Sequence, residues 1–316
     1  MPTATAAQPD TNAHTLQCFE VWGGNHAVDN GVAMPGLDAW VYSEPYEHAT
    51  GGGDVHYVSS CATGRITRIL LMDVAGHGEG AATLAVRLRD LMRRYVNYSK
   101  QTDFVNALNR EFFRRSEGYR FATGIAATFW GPTNTLSLSI AGHPLPLHYR
   151  AKAKQWSLLS PGDSGSDARN LPLGVDEDAA YDEFSVKLGV GDIVLMYSDA
   201  LIETDNGEGQ LLGEGGLLDV AKTLDPTDPS ALITRLREVI NPEIDRQTDQ
   251  DDVTLLALRC NGNAPKGSPL LGMLGGWRVV RESARSLFKG ERMPLPEFTV
   301  PTIFGAFSKK LSKRGG

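Results

Sequence analysis

Four aspartates stand where an apolar run starts or stops: Asp54 in GGGDVHYV, Asp73 in LLMDVAGHG, Asp199 in LMYSDALIE and Asp251 in DQDDVTLLAL. Asp252 is adjacent to the last. A carboxylate at a strand end ordinarily points to water, and each of the four taken alone reads that way. Together they read differently if the strands converge. Carboxylate and backbone oxygens are hard ligands of the kind Mg2+ and Mn2+ take, with several waters retained. Two such ions would lower the pKa of a shared water and clamp the oxygens of a phosphoryl group. Spacing along the chain does not establish convergence, so the elements that carry the aspartates decide the matter.

Residues 65–74 (RITRILLMDV) end in a continuous apolar run with β-branched content and read as a buried strand. Beyond GHGEG, Leu84, Leu88, Leu91 and Tyr95 recur at spacings of four, three and four, which predicts a helix. A second helix is expected from Asp103 as its amino-terminal cap, with Phe104, Leu108 and Phe112 on one face. Residues 122–130, 135–141 and 146–149 read as strands separated by turn residues, and residues 160–170 as a loop. The segments 184–188 and 193–197 flank a turn at 189–192 and predict a hairpin. Helices are expected over 214–222 and 230–240, and a closing strand over 253–258. Antiparallel strands alternating with pairs of helices predict an α+β fold, with helices outside two antiparallel sheets.

GGGD, DVAGHGEGAA, AGHPLPL, LPLGV, YSDALIE and DDVTLL occur in this order. They resemble the metal-dependent PPM-type serine/threonine protein phosphatases, in the bacterial SpoIIE/RsbU-like branch. The resemblance covers roughly residues 50–259. It implies an αββα sandwich with a site for two Mn2+ or Mg2+ ions between the sheets, where water attacks a phosphoserine or phosphothreonine. By position, Asp54 and Asp73 look like the ligands that bridge the two metals, with the backbone carbonyl of Val74 as a further ligand. Asp199 and Asp251 would complete the shell, with Asp252 the fallback for Asp251. His77 is similar to a histidine proposed as general acid in related enzymes; the other reading is a turn histidine with no part in proton transfer. Gly76 and Gly78 would let the backbone turn tightly beside the metals. Glu203 looks like a supporting residue behind the ligands, or else an exposed carboxylate. In this branch phosphorylated anti-sigma-factor antagonists are common substrates, and the resemblance makes one the expected partner.

The chain departs from the family pattern in two places. Ala200 stands where a glycine usually follows the third metal aspartate, which an alanine tolerates only at negative φ. No Lys or Arg precedes Arg65, so the early arginine that holds the phosphate in eukaryotic members has no counterpart. Phosphate binding is therefore expected to rest mainly on the metals. The same fold without turnover, a catalytically weak or inactive phosphoprotein-binding module, is the alternative, and Mn2+-dependent hydrolysis separates the two. Gly76 to Ala81 also matches G-x-G-x-x-A, the dinucleotide fingerprint, but Asp73 would set a carboxylate beside the pyrophosphate, and no acidic strand end follows 20 residues on. GDSG at 162–165 sits in a Ser/Gly/Asp-rich loop and reads as turn chemistry rather than a protease nucleophile.

The 316 residues are 41% hydrophobic and 22% charged, enough to bury a large core without staples. Three scattered cysteines without CxxC argue against a disulfide framework and for a reducing compartment, and the expected location is cytoplasmic. The net charge of −7 is split: residues 261–316 carry ten Lys/Arg against three Asp/Glu, leaving −14 on residues 1–260. So acidic a body repels nucleic acid, and no nucleic-acid partner is expected. The division is accordingly a disordered arm (1–16), a phosphatase domain (17–260) and a basic amphipathic tail (261–316). In the tail Trp277, Val280, Ala284, Leu287 and Phe288 share a helical face flanked by Arg278, Arg281, Arg285 and Lys289. That face either packs on the acidic body or docks a partner or an anionic membrane surface.

Overall fold

The computed structural model describes residues 14–16, 20–60, 64–76, 79–95, 98, 100–116, 120–160, 170–205, 209–240 and 251–264. His77, Gly78, the GDSG segment and the tail from 265 onward lie outside the described residues. In chain order the strands are β1 (His14–Thr15), β2 (Val21–Gly24), β3 (Val28–Met34), β4 (Leu37–Glu44), β5 (Asp54–Ser60) and β6 (Ile66–Val74). Helices α1 (Glu79–Tyr95) and α2 (Gln101–Arg115) follow, then β7 (Ala122–Trp130), β8 (Thr135–Ala141), β9 (Leu147–Arg150), β10 (Gln155–Leu158), β11 (Phe184–Lys187) and β12 (Ile193–Tyr197). Helices α3 (Gly213–Thr223) and α4 (Pro229–Ile240) precede the closing strand β13 (Val253–Cys260).

These elements form four layers. One sheet has the order β1-β3-β4-β13-β12-β9-β10 and the other β11-β8-β7-β6-β5-β2. Every strand pairing is antiparallel except β1 with β3. An apolar core between the sheets takes Val41, Ile69, Leu71, Ile125, Phe129, Met196 and Leu256 from facing strands. A second core joins α1 and α2 to the outer face of the six-stranded sheet, and a third joins α3 and α4 to the outer face of the seven-stranded one. Central strands thus bury both faces, which is why β6 and β13 read as continuous apolar runs rather than alternating ones. The periodic face of α1 seats as its spacing predicts: Leu84, Leu88, Leu91 and Tyr95 are all buried. This is the α+β sandwich expected from the sequence.

Three local expectations are corrected. Residues 14–16 are not part of a disordered arm: β1 pairs with β3, Leu16 N–H donates to Ala33 O and the Leu16 side chain enters the inter-sheet core. The apolar Leu16 supplies what the small polar residues before it lack. Asp103 does not cap α2; the helix starts two residues earlier, at Gln101, whose buried amide donates to Ala126 O at 2.7 Å. The expected hairpin also fails, because β11 pairs with β8 in one sheet while β12 pairs with β13 and β9 in the other. The turn between them is real, since Asp192 Oδ2 accepts from Gly189 N–H at 2.8 Å, but it is a crossover between layers. Burial explains this: β11 alternates as an edge strand does, whereas β12 is buried throughout and needs partners on both sides.

Candidate metal centre

Asp54 opens β5 and Asp73 lies one residue from the end of β6, and the register sets them directly opposite each other. Thr123 of β7 continues the row beyond Asp73. Val58 and Leu71 share the faces of Asp54 and Asp73 by strand alternation and lie in the inter-sheet core, so both carboxylates face the opposite sheet. From that sheet Asp199 begins the turn after β12, and Asp251 and Asp252 lead into the adjacent β13. The convergence that spacing left open is therefore present.

Its electrostatics are those of acids crowded together. Burial holds the Asp54 carboxyl well above the usual carboxylate range, Asp73 and Asp252 add to the shift, and a hydrogen bond from Thr254 opposes it. Asp73 is pushed up to about 7, first by burial and then by Asp199, Asp251, Asp252 and Glu203. Asp54 Oδ2 is buried with no hydrogen-bond partner. A buried carboxylate oxygen without a donor is costly unless a cation or proton meets it. Among the described residues no three His, Cys, Asp or Glu side chains are gathered closely enough to hold an ion as they stand. The chemistry of the donor set, all hard oxygens with one orphaned and buried, nevertheless fits Mg2+ or Mn2+.

The neighbouring aspartates Asp251 and Asp252 have different surroundings. Asp252 is buried, and its carboxylate accepts from Tyr46 N–H and Gly53 N–H, both at 2.6 Å, and from Asp54 N–H at 3.0 Å. It fixes the start of β5 to the opposite sheet. Gly52 is what admits it, since a Cβ there would lie 2.3 Å from Asp252 Oδ1; a Cβ at Gly53 would instead lie 2.8 Å from Val74 O. Asp251 is exposed and its Oδ1 accepts from Asp252 N–H. Ser198 ties the two loops of this sheet together, donating to Asp252 O and accepting from Thr254 N–H.

Ala200 fits where a glycine was the expected residue. It lies in a short 3-10 turn, is fully buried, and is absent from the left-handed residues of the described chain. Its N–H donates to Asp199 Oδ1 at 2.9 Å, fixing that carboxylate's rotamer. Glu203 is exposed at the rim, its carboxyl raised by burial of its inner atoms and by Asp199 and Asp251.

Gly76 has φ +93°, so the turn after β6 needs a glycine there. Ala75 N–H donates to Phe121 O, and Arg120 Nη1 to Ala75 O at 3.3 Å. The Arg120 guanidinium lies against the turn, within 3.2 Å of where a Cβ at Gly76 would stand and 2.8 Å at Gly80. Arg120 is not legible in the sequence, because no motif ties it to the turn after β6. Nor does sequence reasoning assign a role to His143 of AGHPLPL. That ring is buried, with Nδ1 at 3.2 Å from Thr123 Oγ1 and Nε2 at 2.8 Å from Tyr197 O.

The family described as Stage II sporulation protein E (SpoIIE) matches residues 63–261. Among solved structures, the chain is similar to the RsbU and RsbW domains of Rv1364c from Mycobacterium tuberculosis, at 24% identity and TM-score 0.55, over 83% of this chain and 70% of that one. It is similar to RsbX in complex with magnesium at 12% identity and TM-score 0.55, over 73% and 99% of the two chains. The phosphatase domain of SpoIIE from Bacillus subtilis aligns at 18% identity and TM-score 0.54, over 73% and 95%. At these identities the structures speak to the fold, and the family match speaks to descent. More than half of the chain falls within that match, and the chain belongs to the SpoIIE family.

Proposed function

We propose that the protein hydrolyses phosphoserine or phosphothreonine in a protein substrate, using two Mn2+ or Mg2+ ions held between the sheets. The observation that carries this reading is the row of Asp54 and Asp73 set against Asp199 and Asp251, with a buried Asp54 oxygen left without a donor. The RsbX structure of similar fold is in complex with magnesium, which agrees with the choice of ion. Asp54 and Asp73 would be shared by both ions, and Val74 O, Asp199 and Asp251 would complete the ligands. When bound, the ions would supply a water of lowered pKa and neutralise phosphoryl oxygens.

The rest of the site orients these groups. Asp252 serves as backbone anchor rather than ligand, because its oxygens already accept three N–H groups. Ala200 N–H and Ser198 orient Asp199 and the Asp251–Asp252 step. Arg120 braces the turn that leads to His77, donating to Ala75 O, and brings a positive charge to that turn. His77 is the proposed proton donor to the leaving seryl oxygen. A phosphorylated anti-sigma-factor antagonist in the cytoplasm is the proposed substrate. The test is hydrolysis of a phosphoserine peptide by the metal-free protein with Mn2+ added back. Turnover that needs Mn2+ and vanishes with a chelator is expected; phosphopeptide binding without turnover at any Mn2+ concentration would leave the binding-module reading instead.

A further inference from the structure

Two polar bridges cross between the sheets on either side of the carboxylates. On one side Asp252, leading into β13, accepts from Gly53 and Asp54 N–H at the start of β5. On the other side stands His143, in the turn after β8 and only 1% exposed. Its Nε2 lies 2.8 Å from Tyr197 O at the end of β12, two residues before Asp199. Its Nδ1 lies 3.2 Å from Oγ1 of Thr123, the residue paired with Asp73. A carbonyl only accepts, so Nε2–H donates to Tyr197 O and, in the neutral ring, Nδ1 accepts from the Thr123 hydroxyl. The core between these two sheets is built from apolar side chains, which set distance by packing but fix no point-to-point alignment.

We infer that His143 is a positioning residue: through Thr123 and Tyr197 it sets the separation of Asp73 from Asp199, and so the affinity of the site for its divalent ions. This rests on the metal-site reading above. Ion–oxygen distances of about 2.0–2.6 Å tolerate errors of only a few tenths of an ångström, while packed sheets lie about 10 Å apart. Ligands donated by different sheets therefore need an alignment device that ligands on one strand do not. His143 joins the row holding Asp73 to the strand delivering Asp199, as Asp252 joins β13 to Asp54. Outer residues that orient metal ligands typically change affinity by about 10–100-fold when removed.

The experiment is Mn2+ binding to the metal-free full chain, read by electron paramagnetic resonance of free Mn2+ so that no turnover is needed. His143→Ala is expected to weaken the tighter Mn2+ site at least ~10-fold. Thr123→Val keeps the bulk and removes the hydroxyl, and is expected to weaken it in the same direction by less. His148→Ala is the control, an equally buried histidine on β9 that faces Asp192 rather than the carboxylates. It should lower the thermal transition comparably and leave the Mn2+ Kd within about twofold, a margin well inside the tenfold effect. An unchanged Kd in folded His143→Ala overturns the inference, and so does wild-type affinity in Thr123→Val if the alanine variant does not fold. A wild-type chain that binds no Mn2+ overturns the metal-site reading itself, a result distinct from either.

Discussion

A carboxyl pushed up to about 7 by burial and by four neighbouring acids strains the metal-free fold at neutral pH. For Asp73 the sign follows directly. Its pKa is higher folded than unfolded, so the folded chain binds more protons, and stability falls as pH rises from about 4 through 7. Asp73→Asn removes the charge while keeping the size. In metal-free protein at pH 8 it should raise the thermal transition, by about 2–4 °C for each kcal/mol of repulsion relieved in a domain of this size. In the presence of Mn2+ the same variant should lose the shared ligand and with it the activity. Retention of more than about a tenth of wild-type turnover, a barrier change below ~1.4 kcal/mol, would refute the bridging assignment. A calorimetric scan and a phosphopeptide assay on one preparation read both effects, and a stability gain with activity lost is the signature of a ligand rather than a structural acid.

At the scale of elements, β5 has a buried residue at every position, and its inward face carries Asp54 and His56. His56 is held at a pKa of about 4 by burial first and by His26 second, and its Nδ1 finds no hydrogen-bond partner. The folded ring is therefore neutral at every pH where the unfolded one, near 6.5, begins to charge. A histidine whose folded pKa is lowered contributes full stability above about 6.5 and loses it as pH falls toward 4. Relative to His56→Leu, the wild type should lose about 3 kcal/mol between pH 7.5 and pH 4 in urea titrations, the carboxylates cancelling in the difference. A difference that stays flat with pH would show that the folded ring takes up a proton as readily as the unfolded one, against the lowered pKa. The strands and helices themselves were largely legible, because β6, β13 and the faces of α1 and α4 bury apolar residues at the period their geometry demands. The aspartates were legible too, as acids at the ends of those runs. What stayed hidden was set by partners distant in sequence. Nothing in FSVKLGVGDIVLMY says that its two strands enter different sheets, nothing near Asp73 points to Arg120, and the role of His143 depends on a carbonyl in the opposite sheet.

The molecule as a whole is an acidic body followed by a basic segment, −14 on residues 1–260 against +7 on residues 261–316. No described helix is long and apolar enough to cross a membrane. The body is closed by β13 and by the few residues after it. Asn261 Nδ2 donates to Met34 O and Asp38 Oδ1, and the Ala264 Cβ lies 2.9 Å from where a side chain at Gly36 would begin. The packed end of the fold thus runs to Ala264, four residues beyond the boundary expected at 260. Lys and Arg are not ligands for Mg2+ or Mn2+, so the basic residues of the segment beyond it add nothing to the proposed donor set. Ending the chain after Ala264 should therefore leave kcat and Mn2+ dependence on nitrophenyl phosphate within about twofold, a barrier change of ~0.4 kcal/mol. The tail's Lys and Arg residues, interleaved with Trp277, Phe288, Phe304 and Phe307, have the composition of a docking element for an anionic surface. Vesicles with anionic headgroups should sediment the full chain at low salt and release it as ionic strength rises, with the truncated body left in the supernatant throughout. Loss of solubility or of activity on truncation would place the segment in the core, its charges answering the −14 of the body instead.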